Sequence, residues 1–151
     1  MNKTVLFGKE ARDKVLEGVK KIAAAVKVTL GASGKCVLIS NSFHADYALH
    51  QLPIQVTKDG YTVTRNFNLS DPIENVGSEM IKEAAQKTVD MVGDGTTTTT
   101  ILAEAFIRYG IEAIDKGANS QKLKKEIDKA VDYVVEMLKK MAIPVRGDVE
   151  K

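Results

Sequence analysis

Through most of this chain apolar residues recur at steps of three and four, with polar residues between them. From about residue 8 to 29, Val15, Val19, Ile22, Val26 and Leu30 line one face, while Arg12, Lys14, Glu17, Lys20 and Lys27 lie mostly off it. This predicts a long amphipathic helix, ended by Gly31 and Gly34, which open a turn. Val37, Leu38 and Ile39 predict a short buried strand, and Ile54 and Val56 have the alternating spacing of a second. The two make a small hairpin, with His44 to Pro53 as a long connecting loop. Tyr61 to Phe67 fits either a strand or a short helix.

Ser70-Asp71-Pro72 marks a further helix start, with Asp71 as cap, Pro72 in the first helical position and Glu74 three residues beyond the cap. That helix runs to about Val89 through Val76, Met80, Ile81, Ala84 and Ala85. A threonine-led helix follows, carrying Ile101, Leu102, Ala105, Phe106 and Ile107 and ending near Lys116-Gly117, with Gly117 as its C-terminal cap. Asn119 or Ser120 caps the last helix, whose face of Leu123, Ile127, Val131, Val134, Leu138 and Met141 continues until Pro144 stops it. The predicted fold class is mainly α, a bundle of four long amphipathic helices with a small β-hairpin. The wide apolar stripes read as a helical core.

Composition adds exclusions more than assignments. The 151 residues suit one domain with a real core, and 44% hydrophobic and 28% charged residues are those of a soluble globular protein. With 22 basic and 20 acidic residues interleaved, the net charge of +2 gives no electrostatic case for nucleic acid or an anionic membrane. Cys36 is the single cysteine, so no internal disulfide forms and a reducing cytoplasm is the default. Cys36 adjoins an apolar strand and reads as a small buried residue rather than a reactive thiol. No apolar run reaches membrane-spanning length, and the N-terminus lacks a signal-peptide core.

The chemistry concentrates in Gly93-Asp94-Gly95 and the five threonines Thr96 to Thr100. Two glycines allow a tight turn, and the helix that follows begins with free N–H groups and hydroxyls, which suits a phosphate. A carboxylate about 4 Å from a phosphate oxygen is repelled by roughly 4 kcal/mol at an effective dielectric near 20. The helix dipole returns only about 0.3–2 kcal/mol. Asp94 therefore sits sensibly beside a phosphate only with a cation between them, and Mg²⁺ fits, since it takes one or two carboxylates plus phosphate oxygens and water. The competing reading makes Asp94 a plain helix cap and the threonines solvated first-turn residues.

Two other turns carry weaker signals. Thr29-Leu30-Gly31-Ala32-Ser33-Gly34-Lys35 can let backbone amides approach an anion, but it lacks Walker A spacing and leads into a strand. Thr57-Lys58-Asp59-Gly60 has the signature of an Asp-Gly turn, which turn chemistry alone explains; functionally, Asp59 would be a second carboxylate near the cation or an attacking water. His44 and His50 have no cysteine cluster nearby, and no nucleophile–base pair stands out.

Together these elements resemble the N-terminal half of the equatorial domain of the group I (GroEL-type) chaperonins. The matching stretches are Val26-Lys27-Val28-Thr29-Leu30-Gly31, Thr57-Lys58-Asp59-Gly60, Glu74-Asn75-Val76-Gly77, Asp128-Lys129-Ala130-Val131 and, most specifically, Gly93-Asp94-Gly95-Thr96-Thr97-Thr98. The resemblance implies an ATP-binding, ATP-hydrolysing subunit of a double-ring folding chaperone. On its terms Thr29, Leu30, Gly31 and Ala32 would wrap the nucleotide's phosphates, with Lys58 alongside. The backbone of Thr29 and Lys58 would lie near a potassium ion. Asp94 would hold Mg²⁺, while Gly95, Thr96, Thr97 and Thr98 would receive the β- and γ-phosphates. Asp59 would act catalytically, close to the attacking water.

The chain departs from that pattern in three ways. Ala32 stands where the family usually has proline, the His44 to Pro53 loop is longer than the family's hairpin connection, and the sequence is expected to be a fragment that stops where the family continues into its intermediate and apical domains. The expectation is an equatorial segment over residues 1–143 and a polar start of the intermediate-domain connection over 144–151. Ring subunits are the implied partners, with unfolded clients and a co-chaperonin only for a full-length product. Alone, the chain is expected to bind nucleotide weakly and hydrolyse it negligibly. The alternatives are a non-catalytic truncated helical module that docks on intact subunits, and a small stand-alone nucleotide-binding domain.

Overall fold

The computed structural model describes residues 5–40 and 54–144. Its elements run α1 (Gly8–Lys27), β1 (Val37–Ser40), β2 (Ile54–Thr57), α2 (Gly60–Asn66), α3 (Pro72–Val92), α4 (Thr96–Asp115) and α5 (Ser120–Met141). It is mainly helical, with four long helices and one two-stranded antiparallel sheet that pairs Val37 with Thr57 and Ser40 with Ile54. The stretch from Tyr61 that fits strand or helix is helical. Gly117 is left-handed, at φ 94°, and its N–H donates to the α4 carbonyl of Ile114, as at a C-terminal cap. The proposed His44 to Pro53 loop, both histidines included, lies outside the described residues. The described residues fall into two compact units divided between Ile111 and Glu112.

In the first unit the core is built from Val19, Ile22 and Val26 of α1, Val63 of α2 and Ile81 of α3, all buried. Val37, Phe67, Ala103 and Ile107 pack against its edge. The α1 and α3 backbones approach at two glycines. A Cβ on Gly18 would overlap the Glu74 carbonyl oxygen and stand 2.7 Å from its carbon; one on Gly77 would overlap the Val15 carbonyl oxygen.

Charge pins the same crossing. The Asp71 carboxylate accepts from the N–H groups of Ile73 and Glu74, and so caps α3 as the sequence predicts. It also accepts from Lys14 Nζ at 2.5 Å, while Lys21 donates to Glu74. The Lys14 hydrogen bond first, then the α3 amides, lower the Asp71 pKa from the ordinary 3.8 to about 2. A lowered carboxylate contributes stability that is present above its unfolded pKa and lost as pH falls through its folded one. The difference in urea-unfolding stability between the parent chain and Asp71→Asn is therefore expected to be greatest near neutrality, to shrink below about pH 3.8, and to fade through about pH 2. A difference independent of pH would remove the Lys14–Asp71 link from the account.

Three expectations are corrected. The strands are not buried: Leu38 is 70% exposed, and Ile54 and Val56 are exposed beside it, because a two-stranded ribbon covers only one of its faces. Cys36, just ahead of β1, is exposed for the same reason. The stripes are not all core. Val76 and Met80 of α3 and Leu102 and Phe106 of α4 are exposed, and α5 has no buried residue although Val134, Leu138 and Met141 keep their helical spacing. Periodicity reports which face is apolar, and what covers that face is a separate matter. Among the described residues, no helix is long and apolar enough to cross a membrane.

Candidate functional site

Asp94 sits in a three-residue link between α3 and α4. Gly93 and Gly95 both adopt left-handed backbone, at φ 77° and 81°, which a side chain would strain and which lets the chain reverse so quickly. The Asp94 carboxylate is exposed and, among the described residues, accepts only from the neighbouring Gly95 N–H, at 2.6 Å. A helix cap would instead accept from the second or third helical N–H, as Asp59 does on α2, Asp71 on α3 and Asn119 on α5. The intrahelical ladder of α4 begins with Thr99 N–H to the Gly95 carbonyl, at 2.9 Å. Among the described residues no side chain satisfies the N–H groups of Thr96, Thr97 or Thr98. The cap reading of Asp94 thus loses its hydrogen bonds.

The Thr29 loop is fastened to the end of α1. Thr29 donates to the Val26 carbonyl through both its N–H, at 3.0 Å, and its hydroxyl, at 2.8 Å. The turn closes through Gly34 N–H to the Gly31 carbonyl and Lys35 N–H to the Val28 carbonyl, at 3.0 and 2.7 Å. Leu30, Gly31 and Ala32 stay exposed along its outer edge.

The Asp-Gly turn at Asp59 serves as a helix cap, because α2 starts at the next residue. One carboxylate oxygen takes Tyr61 N–H at 3.2 Å; the other takes Thr62 N–H and the Thr62 hydroxyl, at 2.9 and 2.5 Å. Partial burial pushes its pKa up, but the Thr62 and Tyr61 hydrogen bonds outweigh that and leave it below the usual carboxylate range. It is charged at neutral pH and a weak base. Lys58 beside it is exposed.

Gly60 brings the three segments together. Its bare Cα is buried; a Cβ there would overlap the Thr97 hydroxyl, stand 3.2 Å from Thr97 Cβ and 3.3 Å from the Thr29 hydroxyl. The Thr29 loop, the Lys58-Asp59 cap and the first turn of α4 therefore converge within van der Waals distance. In the sequence Gly60 reads only as a turn residue. Its requirement for no side chain is a through-space fact that spacing along the chain does not carry. A groove of about 380 Å³ between α2 and α3, lined by Tyr61, Arg65, Lys82 and Gln86 among others, contains none of these residues. Tyr61 pairs with Gln86 across it, and Lys82 pairs with Glu79 and with Asn68 outside it.

No motif in the sequence singles out Glu104. It is 4% exposed on α4, accepts from Lys27 Nζ at 3.0 Å and Arg108 Nε at 2.8 Å, and faces inward with Thr96 and Thr100. Desolvation pushes its pKa up, but the two cations outweigh it and hold the carboxylate below its ordinary value. The spacing Glu104–Arg108 was a usable signal for an ion pair, though not for burial.

The model for the TCP-1/cpn60 chaperonin family matches residues 22–151. The chain is similar to a group III chaperonin in the open state, at 26% identity and TM-score 0.73, over 90% of this chain and 25% of that one. It is similar as well to the chaperonin gp146 of bacteriophage EL 2 (Pseudomonas aeruginosa), a structure determined in the presence of ATP-BeFx, at 30% identity and TM-score 0.73, over 92% of this chain and 23% of that one. The chain spans about a quarter of the length of each. One of the two being a group III protein, the likeness does not single out group I. Its helices, its hairpin and the ordered motifs within them make this chain a member of the TCP-1/cpn60 chaperonin family.

Proposed function

We propose that this chain carries the phosphate-binding part of an ATP-driven chaperonin subunit, with MgATP seated at the start of α4. The uncapped N–H groups of Thr96, Thr97 and Thr98, next to an exposed carboxylate that caps nothing, carry this reading. In it, Gly95 and the three threonines receive the β- and γ-phosphates, and Thr29, Leu30, Gly31 and Ala32 close over them from the end of α1. Lys58 lies alongside, its backbone and that of Thr29 near a potassium ion. Asp94 holds Mg²⁺, which when bound neutralises phosphate charge.

Among the described residues no cluster of three ligating side chains stands ready for a metal. Asp94 therefore takes Mg²⁺ together with phosphate oxygens and waters, in keeping with that ion's reluctance to dehydrate. Asp59, charged and anchored on α2, orients an attacking water rather than accepting its proton outright.

A titration with MgATP followed by two-dimensional amide NMR tests the proposal and reads binding even at a dissociation constant of about 1 mM, or about −4 kcal/mol. The amides of Gly95 to Thr98 and of Leu30 to Ala32 are expected to move together and saturably. No movement there, or movement confined to other residues, would overturn it.

A second reading rests on the exposed apolar side chains. Leu102 and Phe106 in the first unit, and Val134 and Leu138 in the second, suit docking onto other chaperonin subunits as a non-catalytic module. Native mass spectra separate the two: assembly that ignores MgATP favours docking, and nucleotide-dependent species favour the ATP site.

A further inference from the structure

We propose that Glu104 is a positioning residue for the nucleotide site, fixing the register of α4 against the end of α1 so that the Thr29 loop and the α4 N-terminus face one phosphate chain. The inference rests on the reading of the α4 N-terminus given above and adds to it a residue far along the helix from any phosphate.

The mechanical path is short on both sides. Lys27, the last residue of α1, donates to Glu104 at 3.0 Å and precedes Thr29 by two residues. Thr29 is tied twice to the Val26 carbonyl, and Val26 is fully buried in the core, so the loop rides on the end of α1. On the other side, Thr96, Thr100 and Glu104 share one face of α4 at steps of four. Glu104 lies about 12 Å along the helix axis from Thr96, at 1.5 Å per residue. Whatever fixes Glu104 against Lys27 fixes the first turn of α4 against the Thr29 loop.

The burial of Glu104 makes the anchor selective. Its side chain is 6% exposed, against 45% for Lys27 and 38% for Arg108, so the cations reach in from the surface to a carboxylate that water does not solvate. Sliding α4 by one residue or one turn would leave that charge buried without Lys27, an outcome that disfavours every other register. Fixing register is the best-attested use of a buried ion pair, whereas its net contribution to stability is small. Arg108 stacks over the Tyr109 ring at 4.1 Å and serves as the partner within the helix. Lys27 is the partner that crosses to another element.

The test is the MgATP amide titration run on the full chain and on Glu104→Gln, Lys27→Met, the double variant and Lys27→Arg. Folded-state signals report affinity apart from any loss of folded protein. Glu104→Gln and Lys27→Met are each expected to weaken MgATP binding about five- to tenfold, the double variant no further, and Lys27→Arg to recover most of the loss. Lys27 is half exposed, so Lys27→Met supplies the answer should Glu104→Gln fail to fold. Parental affinity in Lys27→Met overturns the proposal, as do losses that multiply in the double variant. A parent chain whose Gly95 to Thr98 amides ignore MgATP overturns the nucleotide reading, and this inference with it. A parent that binds, alongside variants that bind as well, overturns this inference alone.

Discussion

Gly18→Ala is expected to lower the stability of the chain by about 3 kcal/mol or more, the upper end of what overpacking does. The added methyl would occupy the Glu74 carbonyl oxygen, with the carbonyl carbon at 2.7 Å. Both are backbone atoms of α3, so no side chain can rotate away; the helices must separate, and with them Val19, Ile22 and Ile81 of the core. Gly77→Ala strikes the Val15 carbonyl from the other side and is expected to do similar damage. Domains of this size have total stabilities of roughly 5–15 kcal/mol, so either change removes a large share. Gly110→Ala is the control: nothing lies within 4 Å of a Cβ there, and alanine in a helix interior is worth about 0.5–1 kcal/mol over glycine. Urea midpoints should fall sharply for the first two and rise slightly for the third. If all three behave alike, the close crossing of α1 and α3 is wrong.

Much of this was legible in the sequence for physical reasons that also mark where legibility ended. Asp71-Pro72 announced α3 because capping and proline chemistry are local, and Asp71 does cap it. The hairpin and the four long helices followed from periodicity. The same periodicity failed on α5 and on Leu102 and Phe106, since an apolar stripe does not say what lies against it. Asp59-Gly60 read as a turn and not as a helix start, because the dipeptide serves tight turns and helix caps equally. Gly18, Gly60 and Gly77 are spaced like any other glycines; what each must leave room for comes from a segment distant in sequence. At the candidate site the chain disclosed the residue types, the carboxylate among glycines and the hydroxyl-rich helix start. The structure adds that Asp94 turns toward Gly95 and leaves the next amides open.

That orientation leads to a result whose sign depends on the metal. Under the proposed function, Asp94→Ala is expected to weaken MgATP binding by tenfold or more, which is about 1.4 kcal/mol per decade. With Mg²⁺ chelated, the same substitution is expected to strengthen ATP binding, because the carboxylate then only repels the phosphates, by up to roughly 4 kcal/mol at about 4 Å and an effective dielectric near 20. Asp94→Asn should follow alanine in both conditions, since the amide is isosteric but uncharged. Apo stability should hardly change, because the one hydrogen bond Asp94 makes among the described residues is to its exposed neighbour, and α4 loses no cap. A cap predicts the reverse pattern: a loss of about 1 kcal/mol in the apo chain and indifference to nucleotide and metal. Titrating parent and variants with ATP, with and without Mg²⁺, measures both signs on one set of amides. An Asp94→Ala variant that binds MgATP like its parent would leave the carboxylate without the role assigned to it, and the start of α4 would be an anion site that works with no metal at all.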